Sequence, residues 1–208
     1  MALWPLLLLA ALWLPAAAAG AGSGMSAGQV EALNARLAAL SYLPASDVSS
    51  SYTTATSFAV VAFQKQAGIT RDGVAGPETL ARLKQASRPR PAFSGPGRRV
   101  EVSLARQLLY LIDDGRVVRT LPISSGRPGL ETPTGLFHVY SQYLLSYSKP
   151  YHSWMPYASY FSGGYALHGY PDSEVPAYPA SHGCVRIPLT FAAEVYHFLH
   201  VGEQVRIY

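Results

Sequence analysis

The segment Ser181-His182-Gly183-Cys184 combines, in one short loop, the residue types that cysteine chemistry requires. A thiol becomes a strong nucleophile as the thiolate, and a neighbouring imidazole can accept its proton. Gly183 removes side-chain bulk beside the sulfur, so a substrate carbonyl can approach and backbone N–H groups can face a developing oxyanion. We therefore predict that Cys184, the single cysteine of the chain, is a catalytic nucleophile, and that the Gly183 backbone contributes to the oxyanion hole.

Two histidines compete for the role of general base. His182 is close to the thiol in sequence, but the short tether between them constrains how its ring can meet the sulfur. His168 ends a predicted strand, is followed by Gly169, and can approach the thiol from a separate element. We predict that His168 is the general base and proton donor, oriented by the backbone carbonyl of Gly169, and that His182 supports the site.

Two further residues of the loop are candidates for substrate binding. Arg186 follows the cysteine by two positions, and a guanidinium group is well suited to a substrate carboxylate. We predict that Arg186 and Ser181 contact the substrate. An equally weighted alternative is that Arg186 fixes the loop through backbone carbonyls.

A lone cysteine has two other interpretations. It can be an inert, buried apolar residue, which the neighbouring Ser-His-Gly and His168 argue against. Alternatively, His168, His182 and Cys184 could hold a catalytic zinc ion together with a water molecule. No Asp or Glu stands in an obvious place beside them to act as general base, so no metal and no other cofactor is predicted.

The scaffold of these residues is predominantly β from Arg98 onward. Runs rich in β-branched residues and Leu surround Asp113-Asp114-Gly115, which predicts a hairpin. Residues 135–148 and 163–170 predict further strands, and residues 203–208 predict a last one. Residues 188–199 form the one clear helical pattern of this region.

The preceding part of the chain has helical periodicity. A first helix is predicted from Gln29 to Ala39, and a third opens at Gly76-Pro77-Glu78. The second ends at Gly68, and its predicted inner face comprises Phe58, Val61, Ala62 and the aliphatic stem of Lys65. Ser87 to Gly97 concentrates Pro, Gly and Arg, which predicts a semi-rigid linker.

The amino terminus predicts export. An apolar run from Trp4 to Pro15 without charged residues precedes the small residues 16–20, a pattern typical of a secretory signal peptide over residues 1–20. An uncleaved anchor is the alternative, but the run is shorter than the ~20 residues that a span needs. We expect the protein in the periplasm or at the cell wall and extracellular face, without stable membrane insertion after cleavage.

Composition and charge limit the possible partners. Apolar residues make up 49% of the chain and charged residues 13%, which is sufficient for a folded core. The net charge is +4, and residues 98–208 contribute nine basic and eight acidic residues to it. Neither half has the dense basic stripe that phosphate-backbone binding requires, so nucleic acid is not an expected partner.

The site pattern resembles the L,D-transpeptidase catalytic domain, the YkuD family. The resemblance rests on His168, the Ser-His-Gly-Cys core, Arg186 and the segment TPTGLFHV from Thr132 to Val139. It covers residues 98–208 and implies an α+β fold, namely a mainly β, sandwich-like domain with one late helix and the cysteine in a buried cleft.

The resemblance also implies a reaction. Cys184 would attack the carbonyl after the third residue of a tetrapeptide stem, release the terminal D-Ala and form a thioester. An amine of a second stem would then give a 3→3 crosslink, so peptidoglycan stem peptides are expected as donor and acceptor. Water as acceptor would give L,D-carboxypeptidase activity, and a protein as acceptor would attach it to the wall. A wall-binding protein with an inactive catalytic domain is the alternative from a different class.

A second resemblance covers the helical part. The segment FQKQAGITRDGVAGPETLARL, residues 63–83, resembles the peptidoglycan-binding type 1 domain, a three-helix module of bacterial wall enzymes. A helical spacer without a ligand is the alternative. The predicted organisation is a signal peptide over residues 1–20, a three-helix domain over 28–86, a linker over 87–97 and a catalytic domain over 98–208.

Overall fold

The computed structural model describes residues 24–208. The predicted signal peptide, residues 1–20, lies outside the described residues. Within residues 24–208, no helix has both the length and the apolar character that crossing a membrane requires. Helices come first in this range, and strands follow with a single late helix among them.

Three α-helices form the first part, in agreement with the sequence patterns. Helix α1 spans Ala27–Ala39, α2 spans Thr54–Ala67 and α3 spans Pro77–Gln85, with a 3₁₀ helix at Ala45–Asp47 between the first two. The ends of these helices follow from local chemistry, because each end leaves backbone groups that need partners.

Caps define those ends. Ser26 caps α1 because its side chain accepts the Gln29 N–H, and the Gln29 side chain accepts the Ser26 N–H. Gly68 ends α2 with a left-handed φ of 68°, a conformation that glycine adopts without steric cost. Pro77 occupies the first turn of α3, where its missing N–H is not needed.

One buried amide links the turn after α2 to α3. The Gln64 Nε2 group contacts Asp72 Oδ1 at 2.7 Å and Thr79 Oγ1 at 3.2 Å, and its Oε1 accepts the Gly73 N–H at 2.9 Å. A buried amide needs such partners. These contacts give Gln64, Asp72, Gly73 and Thr79, in the segment that carries the second resemblance, a shared structural role.

The buried face of α2 differs from the sequence expectation. Ala62 is buried as predicted, whereas Phe58 and Val61 are only half-buried and their neighbours Ala59 and Val60 are fully enclosed. The reason is that α2 packs against the other helices on one side and against the β region on the other, so one helical stripe does not describe its burial.

Nine strands and a fourth helix form the second part. The helix, α4, spans Leu189–Phe198. The strands are β1 Arg99–Ser103, β2 Leu108–Asp113, β3 Arg116–Pro122, β4 Gly135–His138, β5 Ser141–Ser148, β6 Ser153–Ser162, β7 Tyr165–Tyr170, β8 Val185–Pro188 and β9 Gln204–Ile207.

The strands make two sheets that enclose an apolar core. The first sheet has the order β3-β2-β1-β9-β4, and the second has the order β5-β6-β7-β8. Helix α4 packs on β6 and β7. Buried side chains of both sheets and α4 meet in one cluster that includes Val100, Leu121, Leu167, Val185 and Phe191. This is the mainly β, sandwich-like α+β fold with one late helix that the first resemblance implies.

The hairpin prediction is confirmed, and two strands were not anticipated. Asp114 and Gly115, at φ of 43° and 74°, connect β2 to β3, as a two-residue primed turn requires. Strand β6 carries Pro156 in its interior, and proline normally argues against a strand. Strand β8 has only four residues, too few for a period-two pattern.

The segment between the two parts is tied to β1. Arg99 and Glu101 form a buried ion pair with 3.0 Å between Nε and Oε1. Arg99 also donates to the carbonyls of Phe93 and Gly95, and Glu101 accepts the Ala92 N–H at 2.7 Å. A pair of this kind is stable in a core because its remaining hydrogen-bonding groups are also satisfied.

The helices and the first sheet share a second apolar core. Leu37 and Phe63 of the helices pack in one cluster with Leu108, Ile112 and Val117 of β2 and β3. The Thr120 N–H donates to the Ser41 carbonyl at 2.7 Å across the same boundary. The helical part is therefore packed onto the β part.

Candidate active site

The cysteine lies immediately before β8. Its side chain is partly exposed, and the Sγ atom lies 3.8 Å from the Gly164 carbonyl oxygen, the range of a weak S–H hydrogen bond. Burial raises the pKa of the Cys184 thiol, and a backbone hydrogen bond from Ala166 and the charge of Arg186 partly oppose this rise. The resting thiol is therefore protonated near neutral pH.

Strand pairing brings His168 to the same side as the cysteine. Strands β7 and β8 are parallel, with Leu167 opposite Val185 and His168 opposite Arg186. Side chains alternate between the two faces of a sheet. Leu167 and Val185 point into the core, so His168 and Arg186 share the other face. Cys184 immediately precedes β8 and lines the same cavity as these two residues.

The histidine has one defined tautomer. His168 is 3% exposed, and its Nδ1 lies 2.8 Å from the Gly169 carbonyl oxygen. A carbonyl only accepts, so Nδ1 carries the hydrogen and the Nε2 lone pair is available. Burial, reinforced by the charge of Arg186 and opposed by the Gly169 hydrogen bond, lowers the pKa of His168 to about 4. This contact with the Gly169 carbonyl is the one predicted from the sequence, and its catalytic consequence stays a prediction.

Ser181 builds the loop that carries the cysteine. The side chain is 1% exposed. Its hydroxyl donates to the Cys184 carbonyl at 2.5 Å and accepts the Gly183 N–H at 3.0 Å. Both functions of the hydroxyl are thus used inside the loop, and a contact between Ser181 and substrate stays a prediction.

Gly183 is held in a conformation and a space that favour glycine. Its φ is 117°, and a Cβ placed there would lie 2.4 Å from Cε1 of Tyr165. No real Cβ contact is that short, so Gly183 is required by the packing of the loop. Its N–H donates to Ser181 Oγ, and the role of the Gly183 backbone in an oxyanion hole stays a prediction.

His182 connects two neighbouring segments. Its ring stacks on Tyr151 with 4.3 Å between ring centroids, and Arg127 Nη1 lies 2.9 Å from its Nε2. A guanidinium only donates, so Nε2 is the acceptor and the ring is neutral. Loss of solvation, together with Arg127 and Arg186, lowers the pKa of His182. Because Nε2 is occupied by Arg127, this histidine is less suited than His168 to accept the thiol proton.

The reactive groups face one cavity of about 580 Å³. Its lining includes Cys184, His168, Ser181, His182 and Arg186, which are the predicted site residues other than the two glycines. The turn between β5 and β6 contributes further walls, and several tyrosines complete them, namely Tyr147, Tyr151, Tyr160, Tyr165 and Tyr170. The guanidinium of Arg186 lies over the Tyr170 ring, 3.9 Å from its centroid, in cation–π contact.

Thr132 is a residue whose role the sequence does not disclose. It is buried, its Oγ1 donates to the Gly183 carbonyl at 2.7 Å, and the same oxygen accepts the Gly126 N–H at 2.9 Å. The segment that carries it matches a family hallmark, which was the only signal. Thr132 therefore links this segment to the loop of Cys184 through its hydrogen bond to the Gly183 carbonyl.

The zinc interpretation finds no support in the arrangement of ligands. Among residues 24–208, no group of three or more His, Cys, Asp and Glu side chains lies close enough together to hold a metal ion.

The fold and the site define a class: a two-sheet domain that presents a thiol and a neutral imidazole to one cavity, packed against a helical module. Comparison with known families agrees. The L,D-transpeptidase catalytic domain family (YkuD) matches residues 97–207, and the putative peptidoglycan binding domain matches residues 26–83. The chain therefore belongs to the L,D-transpeptidase catalytic domain family, whose members modify peptidoglycan.

Solved structures support the assignment. An L,D-transpeptidase from Xylanimonas cellulosilytica is 39% identical, with a TM-score of 0.75 over 86% of this chain and 92% of that chain. One from Stackebrandtia nassauensis is 26% identical, with a TM-score of 0.57 over 86% and 89%. One from Mycobacterium smegmatis, 23% identical with a TM-score of 0.51 over 55% and 59%, shares the fold. No curated protein matches the chain.

The two domain matches together indicate the substrate and the location. Both families act on or bind peptidoglycan, so peptidoglycan is the substrate and the cell wall or periplasm is the location they suggest.

Proposed function

We propose that the protein is an exported cysteine transpeptidase that forms 3→3 crosslinks between peptidoglycan stem peptides. The single observation that carries the proposal is that Cys184, immediately before β8, and His168 of β7 line the same cavity. The tautomer fixed by Gly169 leaves a lone pair on His168 Nε2.

In the first half-reaction, Cys184 Sγ attacks the carbonyl carbon after the third residue of the donor stem. The thiol proton passes to His168 Nε2 as the C–S bond forms. Because both groups rest in their neutral forms, proton transfer accompanies attack. The C–N bond to the terminal D-Ala then breaks, and the imidazolium returns its proton to the leaving amine, leaving a thioester.

In the second half-reaction, an amine of an acceptor stem attacks the thioester carbonyl. His168 takes a proton from this amine and passes it to the sulfur as the C–S bond breaks, which restores the neutral pair. Hydrolysis by water would give the L,D-carboxypeptidase instead, and an amine of a protein would attach that protein to the wall. All three outcomes use the same thioester, so the acceptor decides among them.

Charge within the cavity supports binding of an anionic stem. Arg186 lines the cavity and is held over Tyr170, and a guanidinium binds carboxylates through paired hydrogen bonds. We propose that it receives a carboxylate of the stem peptide. Export, by means of the signal peptide predicted over residues 1–20, would bring the site to this substrate.

The decisive experiment is mass spectrometry of isolated muropeptides after incubation with the purified protein. The 3→3 dimer and free D-Ala are expected with the natural chain and absent with Cys184→Ala. The conservative His168→Gln variant is expected to retain the thiol but lose turnover. Free D-Ala without dimer would reveal the carboxypeptidase. Crosslinking that survives in Cys184→Ala would refute the assignment, and loss of activity in strong chelator would favour zinc chemistry.

A β-lactam probe gives an independent measurement. An L,D-transpeptidase that is 25% identical, with a TM-score of 0.51, has been solved in complex with imipenem. We expect imipenem to acylate Cys184, with a mass increase that is lost in Cys184→Ala. An inactive wall-binding protein would instead sediment with isolated sacculi while giving neither adduct nor turnover.

A further inference from the structure

A lysine of helix α2 is completely enclosed where the helical part packs onto the β part. Lys65 of α2 is 2% exposed. Its Nζ lies 2.9 Å from the Ile123 carbonyl oxygen and 3.1 Å from the Gln107 carbonyl oxygen. Both acceptors belong to the catalytic part, so the amine, and not only the predicted aliphatic stem, is buried against the neighbouring domain.

Burial of this amine costs free energy unless its N–H groups are hydrogen-bonded. Removal from water, with the nearby charge of Arg71, lowers the pKa of Lys65 to about 7. Two carbonyls receive N–H groups of the amine here. A simple apolar contact would fill the same space without this penalty, which points to a role for the two hydrogen bonds themselves.

One of the two acceptors belongs to a strained residue. Gln107 is buried and has a φ of 58°, which is rare for a residue with a side chain. Such a conformation persists only where the surroundings hold it. Lys65 holds its carbonyl, and the Ile123 N–H donates to the same carbonyl at 3.1 Å.

The side chain of Gln107 continues the chain of contacts toward the catalytic loop. Its Oε1 accepts the Ser125 N–H at 2.8 Å, and its Nε2 donates to Ser125 Oγ at 2.6 Å. The Ser125 carbonyl in turn accepts the N–H groups of Ala180 and Ser181, both at 2.9 Å. Ser181 is the residue whose hydroxyl shapes the turn to Cys184.

The other acceptor leads to the other side of the cysteine. Ile123 is followed by Ser124, which exchanges two backbone hydrogen bonds with Arg186, at 3.0 and 2.9 Å. Through Gln107 and Ile123, the amine of Lys65 is thus linked to the backbone on both sides of Cys184.

We propose that Lys65 is a positioning residue for the catalytic loop, through which the helical module holds Gln107 and Ser125 and thereby fixes the backbone of Ser181 and Arg186 on either side of Cys184. The inference rests on the proposed function of Cys184. It adds that the helical module is required for turnover as well as for any binding to the wall.

The test compares two interface variants in the full chain. Lys65→Met keeps an apolar stem of similar length and removes both hydrogen bonds. Tyr110→Phe is the matched control, because Tyr110 also bonds across the boundary, to Gln66 Oε1 at 2.7 Å, but has no contact with Gln107 or Ser125 in the described hydrogen bonds. The measurements are amide hydrogen exchange at Ala180 and Ser181, and kcat and KM on tetrapeptide stems.

For Lys65→Met we expect about tenfold faster hydrogen exchange at the Ala180 and Ser181 amides. The variant removes both Lys65 hydrogen bonds, which loosens the buried Gln107–Ser125 contacts that hold these amides. We expect kcat to fall by about tenfold, because the perturbed loop carries Cys184. KM should rise by less, because the tyrosines and the β5–β6 turn that line the cavity lie outside this loop. Tyr110→Phe should stay within about twofold of the natural chain in all measurements.

Exchange at Ala180 and Ser181 within twofold of the natural chain in Lys65→Met would overturn the proposal. If Lys65→Met does not fold, Gln107→Met, which cuts the side-chain bonds to Ser125, decides by the same criteria. The exchange measurement needs no turnover, so absence of transpeptidase activity in the natural chain would refute the proposed function while leaving this test intact.

Discussion

The ring of Tyr165 closes against the Cα of Gly183, leaving no room for a side chain there. An added Cβ would approach Tyr165 Cε1 to 2.4 Å and Cδ1 to 3.0 Å. Tyr165 is the first residue of β7, three residues before His168. The strand that supplies the candidate base therefore also shapes the loop that supplies the candidate nucleophile.

This relationship predicts the behaviour of Gly183→Ala. The variant meets both an unfavourable φ of 117° and the Tyr165 ring, so we expect a loss of about 2–4 kcal/mol in the free energy of unfolding, measured by urea denaturation. The rate at which iodoacetamide alkylates Cys184 should change as well, because the loop must move to relieve the contact.

Gly202→Ala is the control for this prediction. Gly202 has a φ of 96°, but nothing lies within 4 Å of an added Cβ, so this variant carries the backbone strain alone. We expect about 1 kcal/mol of destabilisation from it. Equal losses in the two variants would mean that Tyr165 yields and that the packing argument is wrong.

A second prediction concerns the hydrogen bond from Thr132 to the Gly183 carbonyl. Thr132→Val replaces the buried hydroxyl by a methyl group and leaves the Gly183 carbonyl and the Gly126 N–H without this partner. We expect a loss of about 2–3 kcal/mol in unfolding free energy, together with a fall in kcat. Thr132→Ser keeps the hydroxyl and should recover most of both quantities. A Val variant that matches the Ser variant in kcat would contradict the role assigned to this hydroxyl.

The reacting groups can be predicted from the sequence more readily than the groups that position them. Cys184 and His168 stand beside glycines in a pattern with chemical meaning, and both line the cavity. Thr132, Gln107 and Lys65 act through a hydroxyl, a carbonyl and an amine whose partners are distant in the chain. No local periodicity encodes a contact of that kind.

The same limit applies to the strands. The hairpin between β2 and β3 follows from Asp114-Gly115, since the turn is local. Strand β6 pairs with β5 and β7, and its placement depends on those partners, which outweigh the unfavourable Pro156. Tertiary context decides such strands.

A third prediction is a loss of stability in acid caused by His168. Its folded-state pKa of about 4 is below the ordinary value of 6.5, so folding favours the neutral ring. The resulting stability is fully present above pH 6.5 and is lost as the pH falls toward 4. It amounts to about 3 kcal/mol.

The check is urea denaturation of the natural chain and of His168→Asn between pH 4 and 7. The natural chain should lose about 3 kcal/mol more than the variant over this range. Parallel curves would show that His168 does not titrate with a lowered pKa.

The last prediction concerns the charge of Arg186, which lowers the pKa of both reacting groups. A cation disfavours the imidazolium and so lowers the pKa of His168, and it favours the thiolate and so opposes the rise in the pKa of Cys184. In Arg186→Met both pKa values should therefore rise. The acid limb of kcat/KM, which reports the loss of the neutral base in the free enzyme, should move upward from about pH 4. Arg186→Lys retains the charge and should leave that limb near its original position, even where KM increases through loss of the guanidinium fork. An acid limb that stays in place in Arg186→Met would show that burial alone sets the pKa of His168, and that Arg186 acts only in binding.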